Sequence, residues 1–579
     1  MIRIWRSAYS RFGKGVEKPD DLLDESVTAE KNYTDAVLKE IVDCGFNAIW
    51  LNGQLHHIIA NAHFPEFAPN AAVHQKALHT LCARAAKYGI KVFVYIQPPR
   101  AIPTSNTEFW IRYMDVGGMT VNTQGDDGSR FDVRAICTSV PYVRDYIRES
   151  FADFTKEFPE LGGFIIISAS EYPAHCYSCY NCEINMSRKP HKVPIDYIPT
   201  NCPRCGLRHP EDVVTELLQT IRDGVRSISQ TLPLIFWNWS WTIYMDAPCE
   251  SIISKLPKDI CLLVDFERGG VRRDGVRVNE YSLTYAGPSE NFLAAKELAD
   301  RYGIPVMPKF QLGTTHELAT VRSLPLIPNI FRKADYMRHH KLDGFMGCWN
   351  FGNLPSTSLK AFNCFLEMKE PLSCEEALRK FAEKEYPGSE PSKITAAWNL
   401  FCEAGESYPF SNPFLYFSPV NHTLALIPQP GKLSGKPVGR SWLPEERGDV
   451  YPEPEEFPLD DLIGRLKRMA EIWKKGVQLL GEAIGKDHPD YVNAAICGAI
   501  WQSGYQMYCI YRLRKNWKES MLPEYAALAK AELALSEEIL PFVAMDPEQG
   551  WHIEGDYHAF SKIMIEKKIQ ALRDFLKQL

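Results

Sequence analysis

The sequence predicts an α/β protein: a (β/α)8 barrel with a cysteine-rich insertion after its fourth strand and an all-α C-terminal region. Three observations carry this prediction. Up to about residue 370, short apolar runs alternate with amphipathic stretches, the pattern of parallel strands joined by crossover helices. Eight such strand-and-helix units can be counted over that length. Polar and aromatic residues follow nearly every strand, as they do at the site-bearing end of a barrel, which favours the barrel over a doubly wound sheet of similar pattern.

In chain order, Ile2-Arg3-Ile4-Trp5 reads as the first strand, 34–43 as a helix, and Asn47-Ala48-Ile49-Trp50-Leu51 as the second strand after a glycine stop. A helix over 76–88 leads to a strand over 90–96, and a helix over 141–158 leads through Gly162-Gly163 to Phe164-Ile165-Ile166-Ile167-Ser168. That last run is apolar throughout, as a strand buried on both faces must be. Helices over 211–228, 251–256, 290–302 and 329–340 then precede strands over 234–237, 260–264, 305–310 and 344–349. Beyond residue 370 the strand rhythm stops. Residues 372–404 read as helix, and 428–458 are a proline-, glycine- and charge-rich linker or lid. Helical periodicity returns over 459–484, 491–517, 525–543 and 557–579. The expected domains are thus a barrel over 1–370 with a zinc-binding insertion at 174–210, a helical segment and linker over 371–458, and a helical domain over 459–579.

The 579 residues carry 65 Lys+Arg against 72 Asp+Glu, a formal charge of −7, which excludes a basic nucleic-acid binder. No apolar run reaches the roughly 18 residues that span a bilayer, and Met1-Ile2-Arg3-Ile4-Trp5-Arg6 lacks a signal-like apolar stretch. No membrane partner is expected. Of the 16 cysteines, five lie between Cys176 and Cys205, a density suited to a reducing compartment that permits metal thiolates. A cytoplasmic location is expected, and a homodimer is the default should the chain oligomerise.

The cysteine cluster is the most specific signal. Cys176-Tyr-Ser-Cys179-Tyr-Asn-Cys182 precedes Cys202-Pro-Arg-Cys205-Gly206, two CxxC knuckles about twenty residues apart. Two thiolates per tight turn suit tetrahedral zinc. The expected ligands are Cys176, Cys179, Cys202 and Cys205, with Cys182 competing with Cys176 for the first knuckle. A site filled by sulfur is structural, because a catalytic zinc keeps a position open. His175 reads as a neighbour rather than a ligand.

Glu171 lies just past the fourth strand, where a carboxyl in an apolar setting is placed to act as a general acid. The sixth strand supplies Asp265 and Glu267, which share a strand face, and the choice between them stays open. Glu267 has a structural alternative, pairing with Arg268 or Arg272. Asp132 is a further carboxylate, in a loop. Strand five ends in Trp237-Asn238-Trp239-Ser240-Trp241 and strand eight in Cys348-Trp349-Asn350. Aromatic faces stack on sugar C–H faces while asparagines bond hydroxyls, so these ends suit carbohydrate, with Trp241 assigned to the core. Asn52, Tyr95, Gln97, Lys309 and Gln311 extend the polar ring. Arg3, Arg6, Arg100 and Lys309 near strand ends suit an anionic sugar. No Walker A, no post-strand GxGxxG and no GxSxG is present, against nucleotide and serine-hydrolase chemistry.

With Ser170-Glu171 after strand four, Trp237-Asn238-Trp239, Trp349-Asn350, and Tyr281 in Asn279-Glu280-Tyr281, residues 1–370 resemble the catalytic domain of glycoside hydrolase family 20, the β-N-acetylhexosaminidases. The resemblance implies that Glu171 is the general acid and that an aromatic pocket surrounds an N-acetyl group. The family carries an Asp immediately before that Glu; here Ser170 stands there, which leaves orientation of the acetamido group to Asp265 or Glu267. The helical region, with Pro409-Phe410 and Gly550-Trp551-His552-Ile553-Glu554, resembles domains appended to large barrel exo-glycosidases. The resulting expectation is an exo-acting glycoside hydrolase with a structural zinc, no organic cofactor, and an oligosaccharide or glycoside substrate. The alternatives are a zinc-dependent hydrolase and a non-catalytic carbohydrate-binding barrel.

Overall fold

The computed structural model describes residues 1–10, 24–124, 130–168, 174–178, 200, 202–239, 241–243, 245–349 and 351–578. The chain divides into two compact units. One comprises Met1–Phe266, Glu290–Lys309 and Leu342–Met346, and the other Glu267–Ser289, Phe310–Lys341 and Gly347–Leu579.

The first unit holds a closed parallel barrel of eight strands: β1 (Ile2–Trp5), β2 (Ala48–Asn52), β3 (Lys91–Ile96), β4 (Gly163–Ile167), β5 (Leu234–Trp237), β6 (Cys261–Asp265), β7 (Val306–Lys309) and β8 (Gly344–Met346). Neighbours follow chain order, and β8 closes on β1 through Ile2↔Gly344, Arg3↔Phe345 and Ile4↔Met346. Seven of the strands are paired to their successors by the same parallel register logic, so the (β/α)8 expectation is met.

Strand register decides which side chains enter the lumen. Paired residues of parallel strands face the same side, and the side alternates along each strand. Phe164 packs against Phe151 and Phe154 of the helix Pro141–Glu157, with ring centroids 5.3 and 5.1 Å apart, so its phase faces the helices. Ile165 and Ile167, in the opposite phase, face the lumen. Asn52 pairs with Tyr95, Tyr95 with Ile165, Ile167 with Trp237, Trp237 with Leu263, and Asp265 with Lys309. Asn52, Tyr95, Trp237, Asp265 and Lys309 therefore share the lumen face at the carboxyl ends of their strands. All five are buried.

Helices of this unit connect successive strands, among them Ala71–Ala86, Pro141–Glu157, Pro210–Ile228 and Glu290–Tyr302. Between β3 and β4 the chain also builds a three-stranded antiparallel sheet from Ile102–Pro103, Gly117–Gln124 and Arg130–Ile136. Asp132 reads from the sequence as a loop residue, because the polar run Asn122 to Asp132 and the glycine pair Gly117-Gly118 mask the alternation of these strands.

The second unit is mainly helical. Leu459–Ile484, Pro489–Lys515, Leu522–Met545 and Lys562–Lys577 match the expected C-terminal helices closely. The single helix expected over 372–404 is two, Cys374–Glu385 and Pro391–Gly405. Gly388 at φ +85° and Pro391 at the first turn of the second helix separate them, and Ser373 caps the first in a reciprocal box with Glu376. The last helix starts at Lys562 rather than 557 because Trp551–His552 and Tyr557–His558 pair as a hairpin. The proline-rich connection is anchored within this unit: Val438 N donates to Val450 O, and Arg447 donates to the carbonyls of Val438 and Arg440 and to the Tyr557 hydroxyl. Among the described residues no helix is long and apolar enough to cross a membrane.

Candidate functional site

The lumen layer at the carboxyl ends of the strands is the first candidate site. Trp237 Nε1 donates to Asp265 Oδ1 at 3.1 Å. Trp237 is fully buried, so its ring is a fixed wall and its N–H orients one oxygen of the carboxylate. Lys309 is the register partner of Asp265 on the adjacent strand, roughly 4.8 Å away across the ladder. Tyr95 stands on the same face, its ring 5.6 Å from that of Trp50.

Beside Trp50, Arg6 lies over the indole at 4.1 Å and pairs with Glu25, both fully buried. Glu25 also accepts from the Ser10 hydroxyl and, through Oε2, from Asn52 N at 2.7 Å. Burial pushes the Glu25 carboxyl up, opposed by the Arg6 charge. The basic residue expected to meet an anionic sugar here is therefore held by a carboxylate of its own. Arg3 donates to Gly45 O at 3.0 Å, in the turn that enters β2, so it belongs to the amino-terminal end of the strands. Arg100 donates to Gln97 Oε1, and the two help line a cavity with His56 and Tyr146. Asn238 and Trp239 follow β5 half-buried, while Trp241 is buried and donates to Ser168 Oγ at 3.0 Å, in keeping with a core role. Asp132 lies on the antiparallel sheet and accepts from Asn122 Nδ2 at 2.8 Å. Glu171, Asn350, Cys179 and Cys182 lie outside the described residues.

The remaining expected residues belong to the second unit. Glu267 is fully buried, pairs with Lys333 and accepts from Gln311 N at 3.0 Å. The ion pair expected with Arg268 or Arg272 is thus made with Lys333, from the helix Ile327–His340. Lys333 also donates to Ser282 O and Gln311 O, so this pair ties the segments that follow β6 and β7 in the chain. The Gln311 amide is engaged by Thr314 O and by Cys348 Sγ at 3.1 Å. Tyr281 is buried and Trp349 half-buried.

Among the described residues, one group of four thiols could hold a metal ion, and it includes a cysteine outside the expected set. Cys137, Cys176, Cys202 and Cys205 are all buried, with their sulfurs within 4.8 Å of one another. Cys137, which follows the antiparallel strand Arg130–Ile136, joins the expected Cys176, Cys202 and Cys205 in this group. Its Sγ lies 3.6 Å from those of Cys202 and Cys205. Four ligands about 2.3 Å from a tetrahedral ion stand roughly 3.8 Å apart, so the thiols fit such an ion. Sulfur contacts, that with Cys176 first, bring the Cys137 thiol down to about 7, toward the thiolate a metal requires. Gly206 N donates to Cys202 O at 2.9 Å, closing the knuckle turn. The Tyr177 hydroxyl donates to the Cys205 and Arg208 carbonyls. Gly118 passes so close that a Cβ there would stand 2.5 Å from Cys176 Sγ. His175 is bonded through Nε2 to Ser168 O, and its Nδ1 accepts from Tyr177 N at 3.3 Å. It is a neighbour that clamps the end of β4, and burial pushes its imidazole down to about 4. Cys137 escaped sequence reading because it lies 65 residues from Cys202 and in no CxxC motif.

No protein-family model and no curated protein matches the sequence. Among solved structures, the chain is similar to a GH138 enzyme targeting pectin rhamnogalacturonan II, at 13% identity and a TM-score of 0.48, over 100% of this chain and 67% of that one. It is similar to a Bacteroidetes-affiliated GH5 cellulase, at 12% identity and a TM-score of 0.40, over 65% of this chain and 94% of that one. It is also similar to the catalytic domain of the β-amylase from Paenibacillus polymyxa, at 12% identity and a TM-score of 0.37, over 64% of this chain and 100% of that one.

Proposed function

We propose that the barrel is a glycoside hydrolase, exo-acting on a terminal N-acetylhexosamine or acidic sugar. The observation that carries this reading is Asp265 in the lumen at the end of β6, gripped by Trp237 Nε1 and next in register to Lys309. A buried, oriented carboxylate at the carboxyl end of a barrel strand is suited to act as nucleophile, as base toward water, or as orienter of an acetamido group. Glu171 is the proposed acid, giving its proton to the leaving glycosidic oxygen. The similarity to family 20 supports that assignment, with Asp265 standing in for the Asp replaced by Ser170. Carboxyls about 5–5.5 Å apart would retain configuration, and roughly 6.5–9.5 Å would invert it.

The metal at the four thiols is proposed to be zinc with a structural role. Four sulfur ligands leave no position for a water, which argues against the zinc-dependent hydrolase. Such an ion would tie the antiparallel sheet to the segment that carries Glu171. A cytoplasmic location is proposed because buried free thiols persist where the medium is reducing.

The test is hydrolysis of a panel of aryl N-acetylhexosaminides, hexosides, uronides and sialosides by wild type, Glu171→Gln and Asp265→Asn. Turnover of one member that falls at least about 100-fold in both variants is expected. Turnover unchanged by both substitutions would refute the assignment. No turnover of any member, with ligand binding intact in the variants, would favour the binding barrel.

A further inference from the structure

The second unit holds a polar cluster of its own. The ring of His316 is met edge-on by Phe351 at 4.6 Å and Tyr416 at 4.7 Å, and Trp442 stands at 6.0 Å. His316 Nε2 lies 3.1 Å from Glu554 Oε2. The Tyr416 hydroxyl donates to Glu280 Oε2 at 2.7 Å, so aromatic surface separates two carboxylates. His316, Glu554, Glu280, Tyr416 and Trp442 are only half-buried, which leaves the cluster open on one side. Trp442 belongs to the proline-rich connection, which is held in place by bonds of Arg447 to backbone carbonyls and of the Tyr557 hydroxyl to Ser441 O. The indole is therefore a fixed wall.

Behind this surface, imidazole nitrogens are unmet. Gly555 N donates to His552 Nδ1 at 3.2 Å, so the His552 proton is on Nε2. His552 is 0% exposed, and that N–H has no acceptor among the described residues. Its ring lies 6.4 Å from His316 and 6.0 Å from Phe351. His316 Nδ1 too has no partner among the described residues. Two buried imidazole nitrogens, one of them a donor, call for a group that can both donate and accept, which a hydroxyl does. Aromatic walls suit C–H faces, and the two carboxylates oppose an anion.

We propose that Tyr416, Trp442, His316, His552 and Glu554 form a binding site for a neutral sugar residue, its ring against the aromatic wall and its hydroxyls shared between the imidazoles and the Glu554 carboxylate. The site does not require the barrel to be a catalyst.

The test is calorimetric titration of methyl β-D-glucopyranoside, methyl β-D-galactopyranoside, methyl N-acetyl-β-D-glucosaminide and methyl β-D-glucuronide into the full chain. At least one neutral glycoside should bind, more tightly than the glucuronide. Trp442→Ala and Glu554→Gln should each weaken that binding at least about tenfold. Should Trp442→Ala fail to fold, Glu554→Gln alone decides. The site is refuted if no neutral glycoside binds, or if Glu554→Gln leaves the affinity for it unchanged. Binding lost in Glu554→Gln without any hydrolysis by wild type would sink the hydrolase reading and leave this site standing. Asp265-dependent hydrolysis with Glu554-independent binding would do the reverse.

Discussion

Cys137 Sγ stands 3.6 Å from Cys202 Sγ, although 65 residues separate the two in the chain. The contact joins the end of an antiparallel strand to a CxxC knuckle, so the four-thiol group links separate segments rather than closing a local loop. Cys137→Ser should therefore lower the zinc content, measured by atomic emission, from one ion per chain to well below half. Cys182→Ser should leave it unchanged. Gly118→Ala, whose methyl would meet Cys176 Sγ at 2.5 Å, should lower zinc affinity as well while keeping all four thiols. Equal zinc in wild type and Cys137→Ser would overturn the ligand assignment.

The Trp237 N–H to Asp265 bond separates orientation from chemistry. Trp237→Phe keeps most of the wall and removes one hydrogen bond to a charged group, worth about 1.5–3 kcal/mol. The predicted result is a kcat/KM lower by roughly 10- to 100-fold. An unchanged kcat/KM would mean that the indole acts only by packing.

Glu267 and Lys333 are both fully buried and paired. Removing one partner strands the other charge in the interior, so Lys333→Met should destabilise by about 3–5 kcal/mol in urea unfolding. The double substitution Lys333→Met with Glu267→Met should restore most of that loss. If turnover survives in the double variant, Glu267 is a structural residue and Asp265 is the carboxylate of the sixth strand that matters to the reaction.

Buried histidines make stability depend on pH. Burial holds His316 down to about 3, and burial likewise pushes His552 and His422 down. Because these imidazoles bind protons more readily when unfolded, their contribution is complete above the unfolded value near 6.5 and is lost as pH falls from there toward 3. At pH 5 His316 removes about 2 kcal/mol relative to pH 7. Urea midpoints should therefore fall between pH 7 and pH 5, and His316→Gln should flatten that dependence. A slope unchanged in this variant would show that His316 is protonated in the folded protein.

The barrel was legible because its signal is local. β6 was expected over 260–264 and runs Cys261–Asp265, and the helix expected over 459–484 is Leu459–Ile484. The antiparallel sheet between β3 and β4 was not legible. Within it, Gly117 and Gly118 interrupt the pairing at a register shift, and most of the face of Arg130–Phe131-Asp132 is polar or exposed. The site was legible in part. Asn52, Trp237, Asp265 and Lys309 do share one lumen face, as their positions at strand ends implied. Gln311 and Glu267, equally polar and equally near strand ends, turned out to be bonded to each other and to Lys333.

By itself the sequence determined the number and order of strands and helices, because strand and helix periods of two and 3.6 residues are written in neighbouring side chains. It also determined that a thiol-rich segment follows β4. The tertiary structure decided which side chains meet: Cys137 as the fourth thiol, Lys333 as the partner of Glu267, and Glu554 beside His316. The physical reason is that such contacts join segments tens to hundreds of residues apart, and the free energy of a buried charge or thiol depends on what the folded chain brings to it, not on its neighbours in the chain.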